Sequence, residues 1–384
     1  MEKTSLLGIP EPLEAHQIPM QIQAINAYSL KIPLTQTWSI SYSTESDCET
    51  VLIEILTDEG LTGYGEASPF PPVTGDTPQT VLAVLEELTP RLIGKNPLAI
   101  RSLIDELDMW LTHNGPAKAA IDIALHDLAA KYYQVPVKLL LGGQCREKVV
   151  TSLTAWLGTV EETVERVGSL LQQHHAKIIK LKIGQDVQLD VERVKAIRES
   201  YGSDFLLRVD ANQGYTPKQA VEFLDKTLPY QIEFMEQPTV DWDLAGLKYV
   251  TQHSRVPVMA DETVHTPADV IRLTREGACD LINIKVMKSG GLLRSHEIAT
   301  VAQAAGMGCM LGAMSETKIG MAAATHLAYS HPNILYADLD GDFDLTDDPT
   351  CGGFELRDGC NYVPETPGIG VEIDHAAMKP YVVN

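Results

Sequence analysis

Short apolar segments that end in a polar or charged residue recur through the middle of the chain at intervals of about 25 residues. The intervals show helical periodicity, and Thr216-Pro217 and Thr266-Pro267 are typical helix starts. Eight strands with seven intervening helices predict an α/β fold, a TIM-like (β/α)7β barrel. An open doubly wound sheet is disfavoured because no G-x-G-x-x-G follows the first strand. The predicted strands cover residues 151–157, 178–183, 205–210, 232–236, 258–261, 281–285, 309–312 and 334–338.

A different pattern precedes the barrel. Strand-like stretches at residues 22–32 and 50–57 give way to helical periodicity between residues 77 and 134, which predicts an α+β domain. The predicted organisation is a flexible tail at 1–19, the α+β domain at 20–148, the barrel at 149–350, and an irregular segment at 351–384. Glycines and prolines dominate that last segment, which is expected to pack back on the N-terminal domain.

Charge and cysteine content narrow the class of protein. Thirty lysines and arginines against 52 aspartates and glutamates give the 384-residue chain a formal net charge of −22, which argues against nucleic acid or an anionic membrane as a partner. No apolar run reaches the roughly 20 residues of a membrane span. The six cysteines are scattered; a Cys351–Cys360 disulfide fits the sequence distance, but cytosolic redox conditions favour free thiols. We expect a cytoplasmic homo-oligomer.

Acidic residues end three consecutive predicted strands. Asp210, Glu236 and Asp261 would converge at the barrel mouth, where catalytic groups of such barrels lie. Three carboxylates repel one another unless a cation neutralises them, and oxygen ligands suit one Mg²⁺ ion. The alternative is that they are solvated strand ends. Their neighbours Asn212, Gln237 and Glu262 are candidates for supporting the ligands or for capping the next helix.

Lysines end two other predicted strands. Lys182 and Lys285 lie on opposite sides of the barrel mouth, so a substrate carboxylate on the metal would present its α-carbon between two amines. Such an arrangement removes a proton from one face and returns it to the other. Lys180, on the same strand face as Lys182, would lower the pKa of Lys182 by like charge and contact the substrate carboxylate. The alternative is that these lysines only form salt bridges with the carboxylates.

Several motifs together give the chain a resemblance to the enolase superfamily, in its muconate-lactonizing-enzyme-like subgroup. They are Lys180-x-Lys182, Gly63-Tyr64-Gly65-Glu66-Ala67, Ala119-Ala120-Ile121-Asp122, Val209-Asp210-Ala211-Asn212-Gln213-Gly214, Glu236-Gln237-Pro238, Ala260-Asp261-Glu262 and Asn283-Ile284-Lys285. The resemblance implies a capping α+β domain whose loops close over a (β/α)7β barrel. It also implies Mg²⁺ on Asp210, Glu236 and Asp261, and a Lys base acting through an enediolate.

Asp338-Leu339-Asp340 is the discriminating feature within the subgroup, because it resembles the D-x-D of dipeptide epimerases. Two carboxylates on one face of a strand bind an ammonium group through charge-assisted hydrogen bonds. The favoured function is therefore epimerisation of the C-terminal residue of L-Ala-Xaa dipeptides. The alternatives are a cycloisomerase or an o-succinylbenzoate-synthase-like lyase, whose substrates lack the amine, and an acidic turn without a binding role.

The first capping-domain loop, residues 37–49, bears on the identity of Xaa. In family members acting on Ala-Glu an arginine of this loop meets the glutamate side chain, and here the loop contains no arginine or lysine. Trp38, Ile40 and Tyr42 offer apolar surface, whereas Glu45 and Asp47 carry negative charge. We expect Trp38 and Ser43 to contact the substrate, and hydrophobic or cationic Xaa to be preferred over glutamate.

Overall fold

The computed structural model describes residues 20–383, so the predicted tail at 1–19 lies outside the described residues. A three-stranded antiparallel meander opens this part of the chain: β1 (Ile22–Ile40), β2 (Ser43–Thr57) and β3 (Thr62–Ala67). The first two strands include the two predicted stretches, and the third was not predicted. Helices α1 (Pro71–Thr74), α2 (Pro78–Leu92), α3 (Ile100–Trp110), α4 (Gly115–Tyr133) and α5 (Val137–Leu140) follow. Strands β1 and β2 are longer than the predicted stretches because they continue as a hairpin over the barrel mouth.

Strand β3 lies directly on α4. A Cβ atom on Gly65 would come within 2.0 Å of the carbonyl oxygen of Ala120, and one on Gly63 within 2.3 Å of that of Ala124. Only glycine permits this backbone approach. The G-Y-G motif therefore has a packing role: it lets the meander lie against α4, which is buried from Pro116 to Ala130.

Eight parallel strands form the barrel sheet, each hydrogen-bonded to its neighbours in chain order, and the predicted (β/α)7β architecture is confirmed. The strand β4 (Val149–Val150) precedes them. The barrel elements are β5 (Leu153–Ala155), α6 (Val160–Gln173), β6 (Ile178–Lys182), α7 (Val187–Tyr201), β7 (Leu206–Asp210), α8 (Pro217–Thr227), β8 (Ile232–Glu236), α9 (Leu244–His253), β9 (Val258–Ala260), α10 (Pro267–Glu276), β10 (Leu281–Lys285), α11 (Val286–Ser289), α12 (Leu292–Ala304), β11 (Gly308–Gly312), α13 (Lys318–Ser330) and β12 (Ile334–Asp338).

The barrel helices begin where the sequence predicts. Thr216 caps α8 and Thr266 caps α10, each through a reciprocal capping box, and proline occupies the first helical turn in both. The gap between β12 and β5 is bridged without a regular ladder. The amide of Ser152 donates to the carbonyl of Ala337 (3.1 Å), and that of Leu339 donates to Oγ1 of Thr151 (2.7 Å).

The C-terminal segment contacts both domains. It contains β13 (Thr350–Gly352), β14 (Glu355–Arg357), β15 (Cys360–Tyr362), β16 (Val371–Ile373) and α14 (His375–Met378). Strand β15 pairs with β4, while the amide of Val383 donates to the carbonyl of Ser29 on β1 (2.9 Å). The six cysteines, all within the described residues, are free thiols. No helix in residues 20–383 is long and apolar enough to cross a membrane.

A buried carboxylate of the capping domain attaches it to the barrel. Glu66, at the end of β3, accepts hydrogen bonds from the amides of Thr317 and Gly320 (both 2.8 Å) at the start of α13. Such a helix start favours a negative charge. Glu316 lies beside it, with Oε1 accepting from the amide of Met314 (2.8 Å) and Oε2 without a partner. Burial, reinforced by the charge of Glu66, raises the pKa of Glu316 to about 8.

This raised pKa predicts a pH-dependent stability. The folded protein binds the Glu316 proton more tightly than the unfolded chain, so the free energy of unfolding falls as pH rises from the ordinary glutamate pKa through about 8. Glu316→Gln removes this titration and should be more stable than the wild type by a few kcal/mol at pH 9, with little difference at pH 5. Urea unfolding at several pH values measures it, with the exposed Glu165→Gln as control. Parallel stability curves for Glu316→Gln and wild type would contradict the prediction.

Candidate active site

A cavity of about 470 Å³ lies between the capping domain and the C-terminal ends of the barrel strands. Both domains line it. From the capping domain come mainly apolar groups, and from the barrel come charged ones. The lining includes Trp38, Ile40, Tyr42 and Phe70 above, and Trp156, Lys180, Lys182, Lys285, Asp338 and Asp340 below.

The three predicted metal carboxylates do not line this cavity themselves but lie against the lysines that do. Asp210, Glu236 and Asp261 are each fully buried, at 0% exposure. Asp210 pairs in register with Glu236, the last residue of the next strand, and Asp261 follows β9 directly. Asn283, on β10, donates to Oε1 of Glu236 (2.6 Å). The parallel strand ends thus bring carboxylates that are distant in sequence to one layer.

Lys180 neutralises the centre of this layer. Its Nζ lies 2.6 Å from Oδ2 of Asp338, 2.8 Å from Oε2 of Glu236 and 3.0 Å from Oδ2 of Asp210. Burial works against the ammonium, but the three carboxylates outweigh it and hold the pKa of Lys180 well above its usual value. The ammonium is therefore a fixed positive charge among the carboxylates.

Lys182 and Lys285 reach the cavity from opposite sides. Four strand positions separate β6 from β10 in the eight-stranded order. The ammonium of Lys182 donates to Oδ2 of Asp210 (2.8 Å) and to Oδ1 of Asn212 (3.0 Å). The Nζ of Lys285 lies 2.9 Å from Oδ2 of Asp261; despite burial, that carboxylate raises the pKa of Lys285.

Sequence reasoning missed Lys288. Its buried ammonium donates to both Oδ1 and the main-chain carbonyl of Asp261, and burial lowers its pKa. Asp261 therefore has a lysine on each oxygen, and these charges hold its pKa below the usual range in spite of burial. The signal was present, because Lys288 follows Lys285 by three residues within one helical turn.

The donor set fits a hard divalent cation. Oε2 of Glu236 and Oδ2 of Asp261 have no aligned hydrogen bond, although each lies within salt-bridge distance of a lysine. Burial and the charge of Asp210 raise the pKa of Glu236 to about 8, a sign of uncompensated negative charge. Among residues 20–383, no three acidic, cysteine or histidine side chains come together in metal-binding geometry, and lysine ammonium groups lie against the three carboxylates.

The three neighbours of the carboxylates differ in their positions. Asn212 lines the cavity and donates to Oε1 of Glu262 (3.2 Å). The Tyr42 hydroxyl donates to the same oxygen (3.1 Å), which joins the capping hairpin to the barrel. Burial raises the pKa of Glu262 to about 7. Gln237 is buried and accepts from the amide of Asp261 (2.8 Å), so it joins the ends of β8 and β9.

Asp338 and Asp340 both line the cavity, beside Lys180. Oδ1 of Asp338 accepts from the hydroxyl of Ser152 (2.6 Å), and Oδ2 of Asp340 accepts from the amide of Thr154 (2.8 Å). Burial, together with the charge of Asp338, raises the pKa of Asp340 to about 7. An ammonium group bound here would relieve that unfavourable charge.

The two predicted substrate contacts of the capping loop have different positions. Trp38 lines the cavity and stacks on Trp156, with ring centres 4.8 Å apart. Ser43 is not among the lining residues, because it begins β2 and its hydroxyl hydrogen-bonds to Glu45. Trp156, which sequence reasoning did not select, follows the short strand β5 and donates from Nε1 to Asp344 (3.0 Å).

Comparison with known proteins agrees with this architecture. Residues 24–142 match the mandelate racemase/muconate lactonizing enzyme N-terminal domain, and residues 162–377 match the enolase C-terminal domain-like family. The chain is 40% identical to a hydrophobic dipeptide epimerase of Enterococcus faecalis, covering 88% of this chain and 95% of the relative. It is 37% identical to an L-Ala-D/L-Glu epimerase of Clostridium acetobutylicum, and that match covers 92% of this chain and 99% of the relative.

A solved structure extends the comparison to three dimensions. The dipeptide epimerase from Enterococcus faecalis V583, crystallised with Mg and the dipeptide L-Leu-L-Tyr, superposes with a TM-score of 0.87 at 38% identity. The match covers 92% of this chain and 99% of that one. A barrel with acidic and lysine strand ends under an α+β cap defines an enolase-like enzyme. The chain belongs to the mandelate racemase/muconate lactonizing enzyme family of the enolase superfamily.

Proposed function

We propose that this protein is an isomerase, a Mg²⁺-dependent dipeptide epimerase that inverts the α-carbon of the C-terminal residue of L-Ala-Xaa type dipeptides. The observation that carries the proposal is the placement of Lys182 and Lys285 on opposite sides of one cavity that also contains Asp338 and Asp340. Relatives named as dipeptide epimerases support it. A cytoplasmic location and a homo-oligomeric state stay predictions from the sequence.

Asp210, Glu236 and Asp261 would hold the cation through oxygens that are buried and partly without hydrogen bonds. The site would thereby supply positive charge against the substrate carboxylate, whose negative charge increases when the α-proton leaves. The crystallised Enterococcus relative contains both Mg and a dipeptide, which supports the same assignment here. Lys180 adds a second, permanent positive charge beside the carboxylates and is proposed to contact the substrate carboxylate.

Lys182 and Lys285 would exchange roles as base and acid, because each faces the α-carbon from a different side. The lysine that removes the proton must be neutral, and the opposite lysine must carry the proton that it returns. Asp338 and Asp340 would bind the α-ammonium of the N-terminal residue, so their joint negative charge positions the peptide. A cycloisomerase or lyase substrate has no such ammonium, and nothing in this cavity favours those alternatives.

The lining also bears on Xaa. Among the described residues, no arginine lines the cavity, and the lysines that line it are Lys180, Lys182 and Lys285. The upper wall combines Trp38, Ile40, Tyr42 and Phe70 with the acidic Glu45. A glutamate side chain would meet apolar groups and negative charge, and an unpaired desolvated carboxylate costs a few kcal/mol. We propose that hydrophobic Xaa is preferred, followed by cationic Xaa.

The proposed reaction predicts metal-dependent deuterium incorporation. With Mg²⁺ in D₂O, L-Ala-L-Leu should gain one deuterium at the leucine α-carbon and form L-Ala-D-Leu, as read by mass spectrometry and chiral chromatography. Excess EDTA should abolish this, Mg²⁺ should restore it, and Asp210→Asn, Glu236→Gln or Asp261→Asn should lower it by several orders of magnitude. N-Acetyl-L-leucine, which lacks the ammonium group, is the control substrate. Undiminished turnover in EDTA would refute the metal assignment.

The two-base arrangement predicts one-sided exchange. Lys182→Ala and Lys285→Ala should both lose epimerisation, yet each should still exchange the α-proton of one epimer, because one base remains on one face. The measurement follows deuterium incorporation into L-Ala-L-Leu and L-Ala-D-Leu separately. The exposed Lys195→Ala, on α7, serves as control. If either active-site variant exchanges both epimers at the wild-type rate, the two-base mechanism is wrong.

The acidic wall predicts an order of side-chain preference. The kcat/KM values should rank L-Ala-L-Leu above L-Ala-L-Lys, and L-Ala-L-Lys above L-Ala-L-Glu. Glu45→Gln removes one wall charge, so it should lower kcat/KM for L-Ala-L-Lys, raise it for L-Ala-L-Glu and leave L-Ala-L-Leu little changed. Glu59→Gln, at the exposed turn before β3, is the matched control. L-Ala-L-Glu as the best of the three substrates would contradict this interpretation of the wall.

A further inference from the structure

A single arginine outside the cavity connects two strand ends at the barrel mouth. Arg193, on α7, is fully buried, at 0% exposure. Its Nη1 donates to the carbonyl oxygen of Lys182 (2.7 Å), and its Nη2 donates to that of Trp156 (2.6 Å). Lys182 is one of the two proposed bases, and Trp156 is an aromatic residue that lines the cavity beside it.

The two carbonyl groups lie beyond the end of the β5–β6 ladder. The β5–β6 ladder ends at the pair Ala155 and Leu181, so Trp156 and Lys182 are each one residue past it. Buried carbonyl groups need a donor, and the planar guanidinium fork supplies both donors from one rigid group. Across the β5–β6 edge, Lys182 and Trp156 are therefore joined by Arg193 rather than by strand pairing, while on its other side Lys182 pairs with Asp210 of β7.

Arg193 is itself held from several elements. Its Nε donates to Oγ1 of Thr163 on α6 (2.8 Å), and its Nη1 pairs with Oδ1 of Asp190 (3.0 Å). Oδ2 of Asp190 accepts from the amide of Gly184 (2.9 Å) and from the hydroxyl of Tyr215 (2.7 Å). The loops after β6 and β7 thus fix the carboxylate that orients the guanidinium.

This network reaches only one of the two lysines. The Nζ of Lys182 lies 5.9 Å from the ring centre of Trp156, which in turn stacks on Trp38. Lys285, across the barrel, instead has Asp261 and the neighbouring Lys288 beside it. Among the described residues, none of the hydrogen bonds of Arg193 goes to β9, β10 or α11.

We propose that Arg193 is a positioning residue for Lys182: its fork to the carbonyls of Lys182 and Trp156 aims the Lys182 ammonium at one face of the substrate α-carbon. The inference rests on the proposed two-base function and deepens it, because it assigns the orientation of one base, Lys182, to a residue that does not contact the other base, Lys285. A change at Arg193 alters proton transfer on the Lys182 face alone.

Arg193→Lys tests this, since it keeps a positive charge beside Asp190 but cannot form the planar fork to both carbonyls. Deuterium exchange is measured for L-Ala-L-Leu and L-Ala-D-Leu separately. Exchange of the epimer that Lys182→Ala no longer exchanges should fall about tenfold or more, because small misplacements of a catalytic group cost that much. Exchange of the other epimer should stay within about twofold. Equal losses for both epimers, or no loss for either, would overturn the proposal.

Arg198→Lys is the matched control. Arg198 is on the same helix and also binds main-chain carbonyls, those of Tyr230 (2.9 Å), Phe205 (3.1 Å) and Gln231 (3.2 Å), but at the opposite end of the barrel. It should leave both exchange rates unchanged. If Arg193→Lys does not fold, the double variant Asp190→Asn/Arg193→Met removes both buried charges together and takes its place in the same measurement.

A second measurement needs no substrate. Competitive labelling of the full-length protein with acetic anhydride, read by peptide mass spectrometry, compares Lys182 with Lys285. If Arg193→Lys changes the labelling of Lys182 severalfold and leaves that of Lys285 unchanged, the proposal is supported. If neither labelling changes, or both change equally, the proposal is overturned. If the wild type exchanges neither epimer, the proposed function has failed, and this labelling ratio alone decides the role of Arg193.

Discussion

The barrel mouth depends on compensation between buried carboxylates and buried ammonium groups. Asp210, Glu236 and Asp261 are fully buried, and charges of that kind are tolerated only when opposite charges lie against them. Lys180 contacts two of the three, and Lys285 and Lys288 contact the third. The compensation is incomplete at Glu236: although Lys180 lies against it, burial and the charge of Asp210 raise its pKa, so a further positive charge is favourable there.

This electrostatic layer requires a cover, because the lysines and carboxylates act strongly on a substrate only where water is excluded. The capping domain supplies it through Trp38 and Phe70 above the cavity and through Tyr42, which hydrogen-bonds to Glu262 next to Asp261. Glu66 anchors the same domain at the start of α13. These contacts are among the polar ones that attach the cover to the barrel, and another is the bond from the amide of Leu292 to Asp122 of α4.

The barrel is also divided into two halves that are supported differently. On the Lys182 side, α7 provides Arg193 and Asp190, which act through main-chain carbonyl and amide groups. On the Lys285 side, the short helix α11 provides Lys288, which acts directly on the Asp261 carboxylate. A reaction that removes a proton on one face and returns it on the other needs each base positioned with respect to a common centre. The proposed role of Arg193 gives the Lys182 side a support that is separate from the one on the Lys285 side.

The sequence by itself determined the barrel, its strand ends and the chemistry of those ends. Each strand is a local apolar run and each helix has a local start signal, and parallel strands in register bring their last residues to one face. The pattern of strand ends was therefore sufficient to place Lys182, Asp210 and Glu236 together, and they are register partners. The long extension of β1 and β2 was not predictable, because it depends on contacts with the barrel.

Only the tertiary structure decided which groups neutralise the site and which enclose it. Trp156 and Arg193 carry no local signal that separates them from ordinary helix or loop residues, since their roles come from partners distant in the chain. The spacing of Lys288 from Lys285 is a local signal, but it does not show that Asp261 is the partner. Ser43 is the opposite case, a residue that its place in the loop made a predicted substrate contact but that does not line the cavity. The hairpin register turns its hydroxyl to Glu45. Apolar pattern is a property of neighbours in sequence, whereas charge compensation is a property of neighbours in space.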